Sequence, residues 1–284
     1  MQCSSNIKQL GLAMSNYESQ HGYLPIGIVL TSRNEEDPQP LHTAQAQLLS
    51  FIAPELPYNF SKGLANNRPS TAAVIPALTC PTDPNSGNAP KTRCFFSRSN
   101  YVVCFGSEMM VKDSAGKNIF TEGIESADIS TDGAFQANIA RTLGQLVDGT
   151  SNTVVAGELL AGPDDEGDRF QSDTRGMWGL FNMGAFSYTH FNPPNTSVAD
   201  STYCPEGPEG NVCYCHDYPP YLPCDNSARA DASQFQAAAR SHHTDGVNVV
   251  FADGHVSLVS NTVDMTIWRA LSTIKGGEIV PDTY

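Results

Sequence analysis

The residues with the most chemistry to offer are eight cysteines: Cys3, Cys80, Cys94, Cys104, Cys204, Cys213, Cys215 and Cys224. Four of them fall within 204–224, in a loop-like stretch rich in Pro, Gly and Tyr. In an oxidising compartment such a set reads as a disulfide framework, and in the cytosol it would read as a metal site. The spacing favours disulfides. The regular Cys-x-x-Cys pair of a zinc knuckle is missing, and Cys213-Tyr214-Cys215-His216 is one residue short of a c-type haem attachment. Spacing does not reveal the pairing within 204–224.

Carboxylates and histidines come next. The loop Asp164-Asp165-Glu166-Gly167-Asp168 has a carboxylate density that suits Ca²⁺, although it lacks the twelve-residue EF-hand pattern. The spacing of His243 and Asp253 invites a catalytic His–Asp reading. Residues 247–252 look extended, however, and at about 3.3 Å per residue the two side chains would stand about 30 Å apart. Asp253 is better explained as a turn residue, and His243 as a group that caps backbone or sits in a polar pocket. His216, His242, His243 and His255 could gather with Asp245 around a metal, but no His-x-x-x-His or Glu-x-x-His spacing supports it. No Gly-x-Ser-x-Gly elbow, Walker loop or Gly-x-Gly-x-x-Gly fingerprint occurs, so no enzyme class is indicated. Asn59-Phe-Ser61 and Asn195-Thr-Ser197 are glycosylation sequons. Trp178, Tyr188, Phe191, Tyr214, Tyr218 and Tyr221 make the middle of the chain aromatic, which suits either a contact surface or loop packing.

The elements that must position these groups follow from periodicity. Cys3, Ile7, Leu10, Met14 and Tyr17 recur at spacings of 4, 3, 4 and 3, so residues 1–20 form an amphipathic helix that stops near His21-Gly22. Leu41 to Ile52 reads as helical, closed by Pro54 and Pro57; Val74 to Leu78 and Tyr101 to Phe105 read as short strands. Asp148-Gly149 is a turn, and Thr153 to Ala156 is a buried strand by its β-branched content. Residues 246–260 form a hairpin, with Val247, Val249 and Phe251 on one face and Asp253-Gly254 as a two-residue turn. Residues 264–275 form a helix capped by Asp264 and ended by Gly276-Gly277. A terminal helix with a meander of short strands gives an α+β fold around an antiparallel sheet. The division expected is a helix at 1–24, a body at 25–160 and 236–284, and a Cys- and aromatic-rich insertion at 161–235.

The chain has 284 residues, with 16 Lys+Arg against 30 Asp+Glu and a net charge of −14. That excludes a nucleic-acid binder, whose phosphate contacts need clustered cations, and an anionic-membrane surface binder. No run of 18 apolar residues occurs, and no signal peptide is visible. A disulfide-bearing chain without an export signal looks truncated ahead of Met1.

Several segments together resemble a large bacterial family of prepilin-like proteins, abundant in planctomycetes and without an established biochemical activity. They are Met1-Gln-Cys-Ser-Ser-Asn-Ile-Lys-Gln-Leu-Gly-Leu-Ala-Met14 with Gly22-Tyr-Leu-Pro25; Cys80-Pro-Thr-Asp83; Asp148-Gly-Thr-Ser-Asn-Thr153 with Gly157-Glu158; and His243 followed after nine residues by Asp253-Gly254. The resemblance implies a leader-processed, helix-anchored protein of the cell envelope or cell surface. It would be a non-enzymatic subunit of a pilus-like or type II secretion-like assembly. Self-association, or contact with other pilin-like subunits, would run through the helix seam Ile7, Leu10, Met14 and Tyr17, and the membrane would be reached only through a segment ahead of Met1. Alongside it we expect disulfides Cys3–Cys80 and Cys94–Cys104, with the other four cysteines paired among themselves. A tethered module that binds glycans or peptides through the aromatic region 178–221 is the competing expectation.

Overall fold

A computed structural model describes residues 1–30, 41–87, 96–108, 110–111, 131–163, 173–180, 182–202, 215–225 and 234–281. The helices are α1 (Gln2–His21), α2 (Ala44–Gln47), α3 (Leu49–Ile52), α4 (Arg68–Thr71) and α5 (Met265–Ala270). The strands are β1 (Ile28–Leu30), β2 (Leu41–Thr43), β3 (Tyr101–Cys104), β4 (Met110–Val111), β5 (Val154–Glu158), β6 (Ser187–Tyr188), β7 (Gln234–Phe235), β8 (Gly246–Phe251) and β9 (Val256–Ser260). The α+β expectation therefore holds.

The core is a five-stranded sheet in the order β6-β3-β5-β8-β9. Its neighbours are antiparallel except for β3 and β6, which run parallel. Every residue of β3, β5 and β8 is buried, consistent with strands covered on both faces. One cover is α1, which packs on β5, β8 and β9. Its approach is close: a Cβ on Gly11 would lie 2.6 Å from the Val250 side chain, so only glycine fits there.

The α1 seam is used up inside the molecule. Cys3, Ile7, Leu10, Met14 and Tyr17 are all buried against the body. This corrects the expectation that Ile7, Leu10, Met14 and Tyr17 contact neighbouring subunits. Each such apolar side chain stabilises the fold by roughly 1.5–3 kcal/mol when withdrawn from water, and that gain is already taken within one chain. The outward face carries Gln2, Ser5, Lys8, Gln9, Leu12 and Asn16.

Other elements shift for local reasons. The run Val74–Leu78 is not a strand; Pro76 opens a 3₁₀ turn over Pro76–Leu78. Proline has no N–H to give a sheet ladder, whereas it suits the first position of a turn. Leu41–Ile52 splits into β2, α2 and α3, because β1 pairs with Leu41–Thr43 before the Thr43 side chain caps α2. The 246–260 hairpin is present, but its loop is three residues long rather than two. Phe251 N–H donates to His255 O, closing Ala252, Asp253 and Gly254 between them. Gly254 has φ +84°, the left-handed residue that a three-residue hairpin loop requires. Ala252 N–H turns away to Thr153 O, which takes it out of the ladder.

Candidate functional site

Four segments that carry the sequence resemblance converge at one end of the sheet. Cys3 comes from the first turn of α1, Cys80 follows the Pro76–Leu78 turn, Glu158 ends β5, and His243 precedes β8. Cys3 and Cys80 are joined by a disulfide. The two sulfurs, a Glu158 carboxylate oxygen and a His243 ring nitrogen all lie within 4.8 Å of one another. His243 Nε2 is 3.1 Å from Glu158 Oε1 and 3.8 Å from Cys80 Sγ.

Glu158 is 1% exposed, and a carboxylate so deep needs compensation. Asn248 provides part of it: its N–H donates to Oε2 at 2.7 Å and its Nδ2 donates to Oε1 at 2.9 Å. These contacts are available because β8 lies next to β5 in the sheet. His243 Nε2 meets the same Oε1 at 3.1 Å. Its hydrogen bond to Glu158 raises its pKa above the ordinary imidazole range, partial burial opposes the shift, and the Glu158 charge adds to it.

A group with a raised folded-state pKa contributes stability in full below its unfolded pKa, and that stability is lost as pH rises through the folded value. The wild-type advantage over His243→Gln is therefore expected to be greatest below about pH 6.5. It should shrink as pH climbs past the folded midpoint. Urea unfolding across pH checks this, and an NMR titration of His243 should place its midpoint above that of free histidine. A midpoint at or below the free value would overturn the assignment.

The backbone around the cluster is held by polar side chains. Asn6 Nδ2 donates to Pro76 O and Thr79 O at 3.2 and 2.7 Å, and Tyr101 OH donates to Cys3 O at 2.9 Å. Cys80 N–H donates to Asn100 Oδ1 at 2.7 Å. Asp83 accepts from Asn100 Nδ2 and from Ala161 N–H, tying the Cys80-Pro-Thr-Asp83 turn to the ends of β3 and β5. Thr82 Oγ1 lies 3.0 Å from Cys80 Sγ and 3.8 Å from Cys3 Sγ.

The remaining singled-out residues are placed elsewhere. Asp253 is at the far end of β8 from His243, and its carboxylate accepts from His255 N–H and meets His255 Nδ1 at 2.7 Å. The metal group imagined from His216, His242, His255 and Asp245 does not assemble: among the described residues the grouping with ligand geometry is Cys3, Cys80, Glu158 and His243. Asp148 accepts from Thr273 OH and from Gly276 and Gly277 N–H at 3.0, 2.7 and 2.9 Å, with Gly149 completing the turn. It pins the segment after α5 to the β5 entrance. Asp148→Ala is expected to cost about 1.5 kcal/mol, as charge-assisted bonds of this kind do, read as a lower urea midpoint at unchanged slope.

Among the cysteines, Cys215 pairs with Cys224. The expected Cys94–Cys104 pair is not formed, because Cys104 is a free thiol. It lies inside β3 between β5 and β6, fully buried, and burial pushes its pKa up to about 12. That makes it an inert core side chain. Cys94, Cys204 and Cys213 lie outside the described residues, as do Asp164, Asp165, Glu166 and Asp168 of the acidic loop and Tyr214 of the aromatic set. Trp178 and Tyr188 are sealed in the core. The Trp178 ring N–H donates to Ser97 Oγ, and Tyr188 OH meets His190 Nε2. Tyr218 and Tyr221 remain exposed.

Two features were not read from the sequence. One is Glu158 as the partner of His243, although an acidic residue ending a Val-Val-Ala run was a usable signal. The other is a buried ionic group in which Asp200 joins Arg175 and Arg240, with Asp173 bound to Arg175.

No curated protein and no solved structure matches the chain. The family described as "Protein of unknown function (DUF1559)" matches residues 1–266, nearly the whole length and all four residues of the cluster. The chain belongs to that family.

Proposed function

We propose that the chain is a non-enzymatic, pseudopilin-like ectodomain, a structural subunit of a pilus-like or secretion-related assembly in the cell envelope. The observation that carries this reading is α1. A 20-residue helix packs on the antiparallel strands β5, β8 and β9 and is fastened at its first turn by Cys3–Cys80. Such a helix holds a folded head in fixed orientation to whatever is attached at Met1. His243 faces a carboxylate and a disulfide, a setting that supports a framework role. The buried Trp178 and Tyr188 count against a glycan- or peptide-binding aromatic groove.

Contacts with like subunits fall to the outward face of α1, where Leu12 is 60% exposed. Light scattering and electron microscopy would compare the chain alone with the chain extended at Met1 by a hydrophobic helical segment. Ordered oligomers or filaments are expected only in the extended form. Leu12→Glu should abolish them while leaving stability within about 0.5 kcal/mol, as surface changes do. Monomers in both forms would overturn the subunit reading.

A further inference from the structure

Among the described residues, Cys3, Cys80, Glu158 and His243 combine a donor set and a geometry that a simple structural bridge does not need. We propose that they form a redox-gated zinc site: a disulfide in the oxidised protein, and a Cys₂-Glu-His tetrahedral Zn²⁺ centre once Cys3–Cys80 is reduced.

The donor types suit zinc, which takes thiolate, imidazole and carboxylate ligands in closed four-coordinate sites. With Zn–S near 2.3 Å and Zn–N or Zn–O near 2.0 Å, donor atoms in a tetrahedral site stand about 3.3–3.8 Å apart. Here the four already lie within 4.8 Å of one another, so opening the disulfide leaves only small displacements. The surroundings are those of a prepared site. Asn248 fixes the Glu158 carboxylate with two hydrogen bonds, and Asn100 and Tyr101 hold the backbones of Cys80 and Cys3. Such outer contacts orient ligands and sustain affinity. An entry path exists on one side, where the His243 side chain is 22% exposed.

Charge supplies the driving force. In the oxidised cluster the Glu158 carboxylate is held by Asn248 and faces the His243 ring. After reduction, Cys3 and Cys80 are thiols beside the Glu158 carboxylate, and their thiolates can form in so buried a site only where a cation neutralises them. A divalent cation, with His243 neutral as its fourth ligand, offsets most of that charge.

The redox step balances. A thiolate of an external dithiol attacks one sulfur of Cys3–Cys80 and forms a mixed disulfide; its second thiol then displaces that bond. Two electrons pass to Cys3 and Cys80, which leave as thiols, and the dithiol departs as its own disulfide. On binding, Zn²⁺ displaces both thiol protons to solvent. The oxidised and zinc-bound states exclude each other.

The test uses the whole chain, reduced with a water-soluble tertiary phosphine, which becomes the phosphine oxide and does not hold zinc as a dithiol would. Zinc binding is measured by competition with a chromophoric chelator. Cobalt(II) serves as the spectroscopic probe, reporting tetrahedral geometry and thiolate-to-metal charge transfer. One equivalent is expected in the reduced wild type and none in the oxidised. Cys3→Ala/Cys80→Ala, which keeps every other cysteine, should lose the site. His243→Gln and Glu158→Gln should weaken it by about tenfold or more, with circular dichroism confirming that each remains folded. The proposal is overturned if the reduced chain binds no zinc, if binding survives in the double alanine variant, or if it ignores both His243→Gln and Glu158→Gln. If reduction unfolds the chain, zinc should restore the native spectrum; a chain that stays unfolded with zinc overturns it equally.

Discussion

Removing the Cys3–Cys80 bridge as Cys3→Ala/Cys80→Ala is expected to lower the stability of the folded chain by about 4 kcal/mol. The bridge closes a loop with a sequence separation of 77. The chain-entropy account assigns loops of that length between about 3 and 4.7 kcal/mol, nearer the upper figure. Both sulfurs are buried, so the variant also loses a little packing. The two contributions act at different places: the first on the unfolded ensemble, the second on the native core. Urea unfolding separates them, because a looser unfolded state raises the slope as well as lowering the midpoint. A loss under about 1 kcal/mol would mean that α1 is held by its seam alone. Native-state hydrogen exchange gives the local view, with amides of the first two turns of α1 losing protection first.

The second large effect is expected at Asp200. Its carboxylate is 0% exposed and accepts from Arg240 Nε and Nη2 at 3.1 and 2.9 Å and from Ala238 N–H at 3.1 Å. Arg175 Nη1 approaches it at 3.3 Å. Asp200→Ala leaves Arg175 with Asp173, at 2.6 Å. Among the described residues the Arg240 side chain then keeps only the carbonyls of Thr196 and Val198, at 2.6 and 2.9 Å, so its charge stays buried without a counter-ion from them. Breaking a buried pair from one side costs about 3–5 kcal/mol. The double variant Asp200→Ala/Arg240→Met should recover most of that, since it removes the stranded charge rather than exposing it. A double variant no better than Asp200→Ala would show that Asp200 acts through its backbone contact instead.

The same ionic group sets the acid limit. Burial alone would raise the pKa of Asp173, but the Arg175 guanidinium outweighs it and holds the carboxyl below its usual range. A depressed folded pKa contributes stability that is present above the unfolded value, about 3.9, and lost as pH falls through the folded one. Acid unfolding should therefore begin around pH 4 and steepen below it. The His243 contribution runs the other way, so the two residues bracket the pH range of greatest stability.

What the sequence made legible was local. The 4-3-4-3 spacing of α1 and the alternation of Val247, Val249 and Phe251 are properties of a single segment, and both elements formed. Periodicity states which side chains share a face and is silent on what covers it. Ile7, Leu10, Met14 and Tyr17 could therefore be assigned to a neighbouring subunit when their partner is the chain's own sheet. The candidate site was illegible for a related reason. Glu158 and His243 are 85 positions apart and meet only because β5 and β8 are adjacent in the sheet, an order that no local pattern encodes. The Cys3–Cys80 bridge was expected as a tie between the helix and the body rather than read from spacing, and it formed. The Cys94–Cys104 expectation failed because Cys104 closes β3 as a free, fully buried thiol paired in register with Tyr188 of β6. The buried arginines escaped notice because their partners sit in irregular loops, where charge looks like solvent-facing charge.

The position of the bridge within α1 has a mechanical consequence. A tensile load applied at Met1 meets a covalent link at Cys3, before it reaches Ile7 or any other apolar contact of the helix. The load passes through sulfur to Cys80 and so into the turn anchored by Asn100 and Asp83. Without the link, the helix would peel from the sheet one contact at a time, each yielding at low force. With it, the helix and the Cys80 turn must move together, in shear. A chain pulled from its first residue would keep α1 tied to the Cys80 turn while the bond lasts, and reduction would act as the release catch.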